Sequence, residues 1–343
     1  MKIQKIIPKK TQKFSKRIKM PFIFKSSKSF KYIFIILMLL YLIDLIRFQV
    51  SPNNTKTHAK FFGNIGQFKR RAFDEYKPHK VFIEAHRGVN RLKFQNTKES
   101  IELAIKYGLD SFETDLWLSK DNVGVLVHGG REGDLTHYYK KTRNKVIYTN
   151  WKKLSKLRTK KNKLKMPKLE DIMRLAKNKI FMNLEIKDPR VNLVFPYVIK
   201  LIEKYDYFNQ ISLSSFNHNY YKKIIEYNKN NKFGKKLSFG FLYGGRSNQT
   251  MYPFNLPKTS LNLYWRKVTK EICDKAHANG MAVFAWFYMR ENENEKIWQR
   301  LFDYGIDIIC TNYPLRAIKF RKYYYKRKSH KNLYEKFFFN FVC

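Results

Sequence analysis

His86-Arg87, Glu113-x-Asp115, His128 and Glu185-x-Lys187 lie in four separate stretches of the chain, each at or near the end of an apolar run. Two carboxylates two residues apart on an extended strand point to the same face, because strand side chains alternate with period 2. Glu113 and Asp115 therefore converge, and carboxylates held together repel unless a proton or a cation neutralises them. Glu185 adds a third oxygen donor. An all-oxygen set suits a hard divalent ion, Ca2+ or Mg2+, rather than zinc, which takes more nitrogen or sulfur. His86 and His128 flanking such an ion could act as general acid and general base, with Arg87 and Lys187 adding fixed positive charge. Together these groups suit phosphodiester cleavage, in which phosphate oxygens are held by cations while a proton passes from nucleophile to leaving oxygen. Singly, each residue has an ordinary structural reading: a lone His is commonly a core residue and Glu-x-Lys an exposed strand pair. The coincidence at strand ends carries the functional one.

The elements that must position these groups alternate along the chain. Val81 to His86 reads as a strand, Lys98 to Tyr107 as a helix, and Ser111 to Trp117 as a strand followed by a turn at Lys120-Asp121-Asn122. Strand-like "IFMNLEIK", "ISLSSF", "LSFGFLY", "SLNLYW", "AVFAWFY" and "IDIICT" then alternate with helical "VNLVFPYVIKLIEKY", "NHNYYKKIIEYNK", "TKEICDKAHANG" and "NENEKIWQRLFDYG". Successive βα units over about 240 residues predict a parallel sheet, and this length suits a closed (β/α)8 barrel, a TIM barrel, with a doubly wound open sheet as the alternative. Reactive groups in such a barrel gather at the carboxyl ends of the strands, where these residues fall. The link from Ser119 to Val123 is too short for a crossover helix, so one unit must be irregular. Residues 140–165 are basic and poor in apolar residues, with a helical piece at their centre, and read as a surface loop.

The 343 residues are 44% hydrophobic, enough for a large core, and carry a formal net charge of +43. Such charge raises nucleic acid or an anionic membrane as a partner, but no nucleic-acid motif accompanies it, and none is expected to bind. Lys, Asn, Ile, Phe and Tyr are abundant together, so part of the charge is accounted for by A+T-rich coding. Cys273, Cys310 and Cys343 show no paired spacing and suggest neither a disulfide framework nor zinc. Residues 1–31 hold many Lys and Arg and no acid, and read as a cytoplasmic tail. "YIFIILMLLYLIDLI" follows, and residues 32–50 are expected to form a signal-anchor transmembrane helix, with a cleaved signal peptide or a buried core helix as alternatives. The positive-inside rule then places the rest of a single-pass membrane protein in the lumen or outside the cell. Sequons at Asn53 and Asn248 are compatible with that side. Residues 51–78 read as a stalk, 79–318 as the barrel domain, and 319–343 as a basic aromatic tail that either touches an anionic membrane or packs as a solvated helix on the barrel's base.

"EAHRGVNRLKFQNTKESIELAIKYGLDSFETDLWLSKDNVGVLVHGG" resembles the opening of the glycerophosphodiester phosphodiesterase family: H-R-G, then E-N-T, then E-x-D, then a spaced His. "MPKLEDIMRLAKNKIFMNLEIK" is similar to the family's Pro-Leu-Glu helix followed by E-x-K, and the resemblance resumes at Ser215-Phe216, "ANGMAVFAWFY" and "DYGIDIICTNYP". It implies a (β/α)8 barrel of the kind shared with phosphatidylinositol phospholipase C. His86 and His128 would be the acid/base pair, Glu113, Asp115 and Glu185 the divalent-metal ligands, Arg87 and Lys187 the phosphate holders, and Trp286 a wall of the substrate pocket. Family members hydrolyse glycerophosphodiesters to glycerol 3-phosphate and an alcohol, and some membrane-anchored relatives act as lysophospholipase D. Three positions depart from the pattern. Gln95 replaces the acid of E-N-T, Gly129 follows the second His where Asp is usual, and Asn312 replaces the Asp of T-D-Y-P. Two other readings stand beside this one: a sphingomyelinase D-like phospholipase, which shares paired His and E-x-D, and a catalytically weak barrel that binds phospholipid without turnover.

Overall fold

The structure, a computed structural model, describes residues 80–230, 235–245, 251–256 and 259–342, with side chains to Ser329 in the last helix. The expected cytoplasmic tail, anchor 32–50 and stalk lie outside the described residues, as does the sequon at Asn248. Among the described residues no helix is long and apolar enough to cross a membrane.

Eight parallel strands close on themselves: β1 (Phe82–Ala85), β2 (Ser111–Leu118), β4 (Phe181–Ile186), β5 (Ile211–Ser215), β6 (Phe239–Tyr243), β7 (Thr259–Tyr264), β8 (Ala282–Trp286) and β9 (Ile308–Thr311). Closure is made by β1, which pairs with β2 on one side and β9 on the other. This is the TIM barrel expected, rather than an open sheet. Its irregular unit is the one expected from the short link: β3 (Gly124–Leu126) turns back antiparallel on β2, so a hairpin stands where a crossover helix would. Helices α1 (Lys98–Lys106), α3 (Leu169–Ala176), α4 (Val191–Lys204), α5 (Asn219–Asn230), α6 (Lys270–Ala278) and α7 (Glu295–Asp303) run between strands, and α8 (Pro314–Val342) follows β9. Their apolar faces and the outward strand residues Ile83, Phe112, Leu116, Leu184, Leu213 and Val283 form the main core.

The barrel interior is layered. Phe82, Phe181, Ala282, Phe284 and Ile308 fill the bottom with apolar side chains. Above them, and against the expectation of strands apolar up to their last residues, sits a polar layer. Buried Glu84 accepts hydrogen bonds from Ser111 Oγ and Asn183 Nδ2, each at 3.0 Å, and Asn183 in turn accepts one from Ser214 Oγ at 2.9 Å. These polar groups are tolerated because each finds a partner inside the barrel. The layer seats the carboxylates above it.

The basic insertion differs from a plain surface loop. The helical piece expected at its centre is the short helix α2 (Trp151–Leu154), and Val146 and Leu154, with Tyr139 just ahead of the insertion, pack with Trp117, Val125 and Val127 of the hairpin into a small second core. That packing fixes the segment carrying His137 and Tyr138 above the strand ends.

Helix α8 begins against the barrel and runs through the position where the tail was expected to start. Phe320 packs its ring on Phe302 at 5.3 Å and Trp298 at 5.8 Å, both on α7. Arg321 donates to Val81 O at 2.9 Å and pairs with Asp110, whose carboxylate also accepts Ile83 N. Deleting a buried aromatic leaves a cavity that its neighbours fill only in part. Phe320→Ala is therefore expected to cost about 3–5 kcal/mol in denaturant unfolding. A change within about 0.5 kcal/mol, as for an exposed tail residue, would contradict this packing.

Candidate active site

The H-R-G stretch leaves β1 and turns sharply. Arg87 (φ 57) and Gly88 (φ +75) both adopt left-handed backbone, and a Cβ on Gly88 would come within 2.8 Å of the Ser100 carbonyl carbon in α1. Only glycine avoids that collision with the helix start. The turn presents Arg87 N to Glu113 Oε2 at 2.8 Å and leaves His86 Nε2 at 3.9 Å from the same oxygen.

Strand register gathers the carboxylates. β2 and β4 pair so that Asp115 stands beside Glu185 and Glu113 beside Asn183. Glu113, Asp115 and Glu185 each offer an oxygen within 4.8 Å of the others, and all three are buried. Asp115, fully enclosed, lies 3.2 Å from Arg87 Nε and 3.7 Å from Lys187 Nζ, and accepts Asn96 Nδ2 at 2.6 Å. Lys187 Nζ also reaches Glu185 Oε1 at 2.7 Å and stands over the Phe216 ring.

Two cations among three carboxylates leave the charge uneven. Burial raises every acid here, but Arg87, His128, Lys187 and the Asn96 hydrogen bond outweigh it at Asp115 and hold that carboxyl below the usual range. Glu113 has less compensation, and burial, then Asp115 and Glu185, push its carboxyl well above the usual range. Glu185 is raised by burial and by Asp115, against the opposing pull of Lys187. Glu113 Oε1 and Asp115 Oδ1 are enclosed with no hydrogen-bond partner. Such orphaned anionic oxygens, with only oxygen donors in the set, fit a hard divalent cation.

Ionised ligands are needed to hold a cation, so a carboxyl whose proton persists to higher pH must release it on binding. The affinity of the full-length protein for a divalent ion is expected to rise with pH, by up to about tenfold per unit for each proton released. Calorimetry in buffers of differing ionisation heat measures the release directly, and a pH-independent affinity with no released proton would contradict the raised Glu113.

The two histidines are held by different partners. His86 Nδ1 lies 3.0 Å from Asn312 Oδ1, and His128 Nδ1 lies 2.9 Å from Tyr138 Oη, just ahead of the insertion. Burial first, then the charge of Arg87, pushes the His86 imidazole well below its ordinary value. Burial, against the pull of Asp115, brings His128 down to about 3. Both are neutral imidazoles near pH 7.

Seven of the eight residues expected from sequence, His86, Arg87, Glu113, His128, Glu185, Lys187 and Trp286, line one cavity of 570 Å3 at the carboxyl ends of the strands. Asp115 alone lies beneath its wall. Trp286 is tied by Nε1 to Asn262 O at 3.2 Å and meets Phe216 and Tyr288 edge-on. The departures have structural counterparts. Gln95 Oε1 accepts Arg87 Nη1 at 2.6 Å, where an acid would pair. Gly129 has φ +64, and a Cβ there would approach Gly133 Cα at 3.0 Å and Trp117 Nε1 at 3.1 Å, so the usual Asp would need these neighbours to give by a few tenths of an ångström. Asn96 was not anticipated. In the Q-N-T stretch Thr97 caps α1, while Asn96, at φ 54, bonds Asp115 and accepts Thr114 Oγ1 at 2.6 Å. The match of N-T to the family pattern was the signal for it. Tyr138 gave none.

Known proteins agree with this architecture. A solved chain from Galdieria sulphuraria covers 72% of this chain and 100% of its own at a TM-score of 0.63 and 23% identity. An Oleispira antarctica phosphodiesterase, solved in complex with its product sn-glycerol-3-phosphate, covers 70% and 96% at a TM-score of 0.57 and 17% identity. At these identities the likeness speaks to the fold alone. Among curated sequences, a glycerophosphodiester phosphodiesterase of Caldanaerobacter subterraneus subsp. tengcongensis is 26% identical over 244 residues, 68% of this chain and 95% of that protein. The model of the glycerophosphoryl diester phosphodiesterase family matches residues 86–316, from the first histidine of the cavity to the start of the last helix. A match of that length, on a closed barrel with the polar groups at one rim, settles the classification: the chain belongs to the glycerophosphoryl diester phosphodiesterase family.

Proposed function

We propose that this phosphodiesterase hydrolyses glycerophosphodiesters to glycerol 3-phosphate and an alcohol, with His86 and His128 moving the proton. The observation that carries the reading is one cavity lined by two neutral imidazoles, two cations and Glu113 and Glu185, with Asp115 converging on them from beneath its wall. Arg87 and Lys187 hold the phosphoryl oxygens and orient the diester for in-line displacement. One neutral imidazole takes the proton of the attacking hydroxyl as the new O–P bond forms, and the other, which takes up a proton from solvent as the anionic diester binds beside it, gives that proton to the alcohol oxygen as its bond to phosphorus breaks. The nucleophile is water or the free glycerol hydroxyl beside the phosphate, the latter giving a cyclic phosphate that water then opens. Trp286 walls the side on which the organic part of the substrate lies.

Glu113, Asp115 and Glu185 would hold the divalent cation, which when bound supplies fixed positive charge against the charge gathering on phosphate. Mg2+ and Ca2+ are both hard ions that this all-oxygen set would accept.

A second reading has its own observation. Phe216 and Tyr288 at the cavity mouth are 46% and 44% exposed, an apolar rim suited to a substrate with an acyl chain. Turnover of glycerophosphocholine and lysophosphatidylcholine by the full-length protein, with Mg2+ or Ca2+ added after chelation, tests both. Choline release from the first supports glycerophosphodiester hydrolysis, and release from the second supports lysophospholipase D action. No release from either with either ion overturns the proposal in favour of a binding barrel. The basic segment 1–31 ahead of an apolar run supports a lumenal or extracellular barrel on a membrane anchor. Digestion of the barrel by protease in sealed microsomes without detergent would contradict that placement.

A further inference from the structure

Asn312 replaces the acid usual in this family, yet its side chain is tied more fully than most. Its Nδ2 carries two hydrogens, and both have acceptors: Glu293 Oε1 at 2.8 Å and the Tyr288 carbonyl at 3.0 Å. Neither acceptor has a hydrogen to give back when Glu293 is ionised, so the amide cannot be turned over without setting oxygen against oxygen. Glu293 is itself fixed. It is fully buried, and it accepts the Asn312 backbone N–H at 2.9 Å and the Thr311 hydroxyl. With Nδ2 committed on one side, Oδ1 faces the other, where it meets His86 Nδ1 at 3.0 Å and Asn90 Nδ2 at 3.0 Å. Asn90 Nδ2 in turn reaches the His86 carbonyl at 2.6 Å.

A carbonyl oxygen only accepts, so the hydrogen between it and the imidazole must sit on His86 Nδ1. We propose that Glu293 and Asn312 are positioning residues that lock His86 in the Nδ1–H tautomer, leaving Nε2, the nitrogen facing Glu113, as the atom that takes and returns the proton. The chain thus keeps the orienting hydrogen bond of a histidine–acid pair, with the carboxylate moved one residue further from the ring. The replacement of Asp by Asn is then a rewired support rather than a lost one, since Asp at 312 would aim an anionic oxygen at both Glu293 and the Tyr288 carbonyl. The proposal rests on the reading of His86 as a proton-transfer residue, but its first test does not.

Nitrogen NMR of the full-length protein labelled in histidine, with His86 identified by its loss in His86→Gln, is expected to show protonated Nδ1 and bare Nε2. Asn312→Asp is expected to lower kcat about ten- to a hundredfold with KM for glycerophosphocholine within about twofold. Glu293→Leu, which frees the amide, is expected to give mixed His86 tautomers and a kcat loss of about tenfold, with Glu293→Gln between it and the native chain. Nε2–H in the native protein, or native kcat in Asn312→Asp, overturns the proposal. Nδ1–H in a chain whose His86→Ala variant remains active would keep the tautomer lock and sink the proton-transfer role instead.

Discussion

His86→Ala and His128→Ala, made separately, are each expected to lower kcat by about 10^2- to 10^4-fold, and the double variant by little more than the worse single one. In the proposed mechanism the two imidazoles serve successive halves of one proton transfer, so losing either would stall the same step. Both rings line the cavity and are kept neutral by burial in the free protein, which leaves the base a lone pair to offer near pH 7 while the acid takes up its proton as the anionic diester binds. Neither carries an ion pair that supports the fold. His86 is 3.9 Å from Glu113, too far for a hydrogen bond, and His128 is tied to Tyr138 by one hydrogen bond at 2.9 Å. Divalent-ion binding and thermal stability should therefore change far less than turnover. Retention of more than about a tenth of native kcat by either variant would remove that histidine from the acid/base pair.

The second large effect is a change of sign between two carboxylates two residues apart. Glu113→Gln is expected to weaken divalent-ion affinity by about a hundredfold or more and, in the metal-free protein, to raise stability by about 1–2 kcal/mol. The carboxyl it removes is pushed up by burial and by two like charges, and the new amide oxygen can still accept the Arg87 N–H. Asp115→Asn is expected to do the opposite to stability, costing about 3–5 kcal/mol, because Arg87 and Lys187 would lose the buried anion between them. Denaturant unfolding with and without Mg2+ separates the two. The native chain is expected to gain about 2.7 kcal/mol at an ion concentration a hundred times its dissociation constant, and Glu113→Gln at most about 0.4 kcal/mol at that concentration. Equal destabilisation by both substitutions would mean that Glu113 is a structural acid rather than a ligand held at a cost.

Much of the site was legible in sequence because its groups are strand-end residues in short local patterns. Glu113 and Asp115 share a face by strand periodicity alone, and the absence of room for a helix after Ser119 foretold the hairpin that brings His128 back. What was not legible depends on which residues meet across the barrel. Strand periodicity puts Glu84, Ser111 and Asn183 on the same faces as His86, Glu113 and Glu185, but it cannot say that they meet across the barrel, and the polar layer beneath the site was read as apolar strand. Tyr138 sits just ahead of the basic stretch read as surface loop, and only the small core around Trp117 and Leu154 places it against His128. Glu293 lies in a polar run before α7 whose neighbours are exposed or half-buried, with nothing local to mark it as the partner of Asn312. Asn312 and Gln95 were visible as departures, but their meaning needed the groups they touch.

Phosphorus NMR of glycerophosphocholine turnover by the full-length protein tests the central claim most directly. With Mg2+ or Ca2+ present the phosphate is expected to stay on glycerol, giving glycerol 3-phosphate and free choline, directly or by way of a cyclic phosphate. The reaction should stop on chelation and return when the ion is restored. Phosphocholine and glycerol as products, or cleavage at an unchanged rate in chelator, would contradict the account.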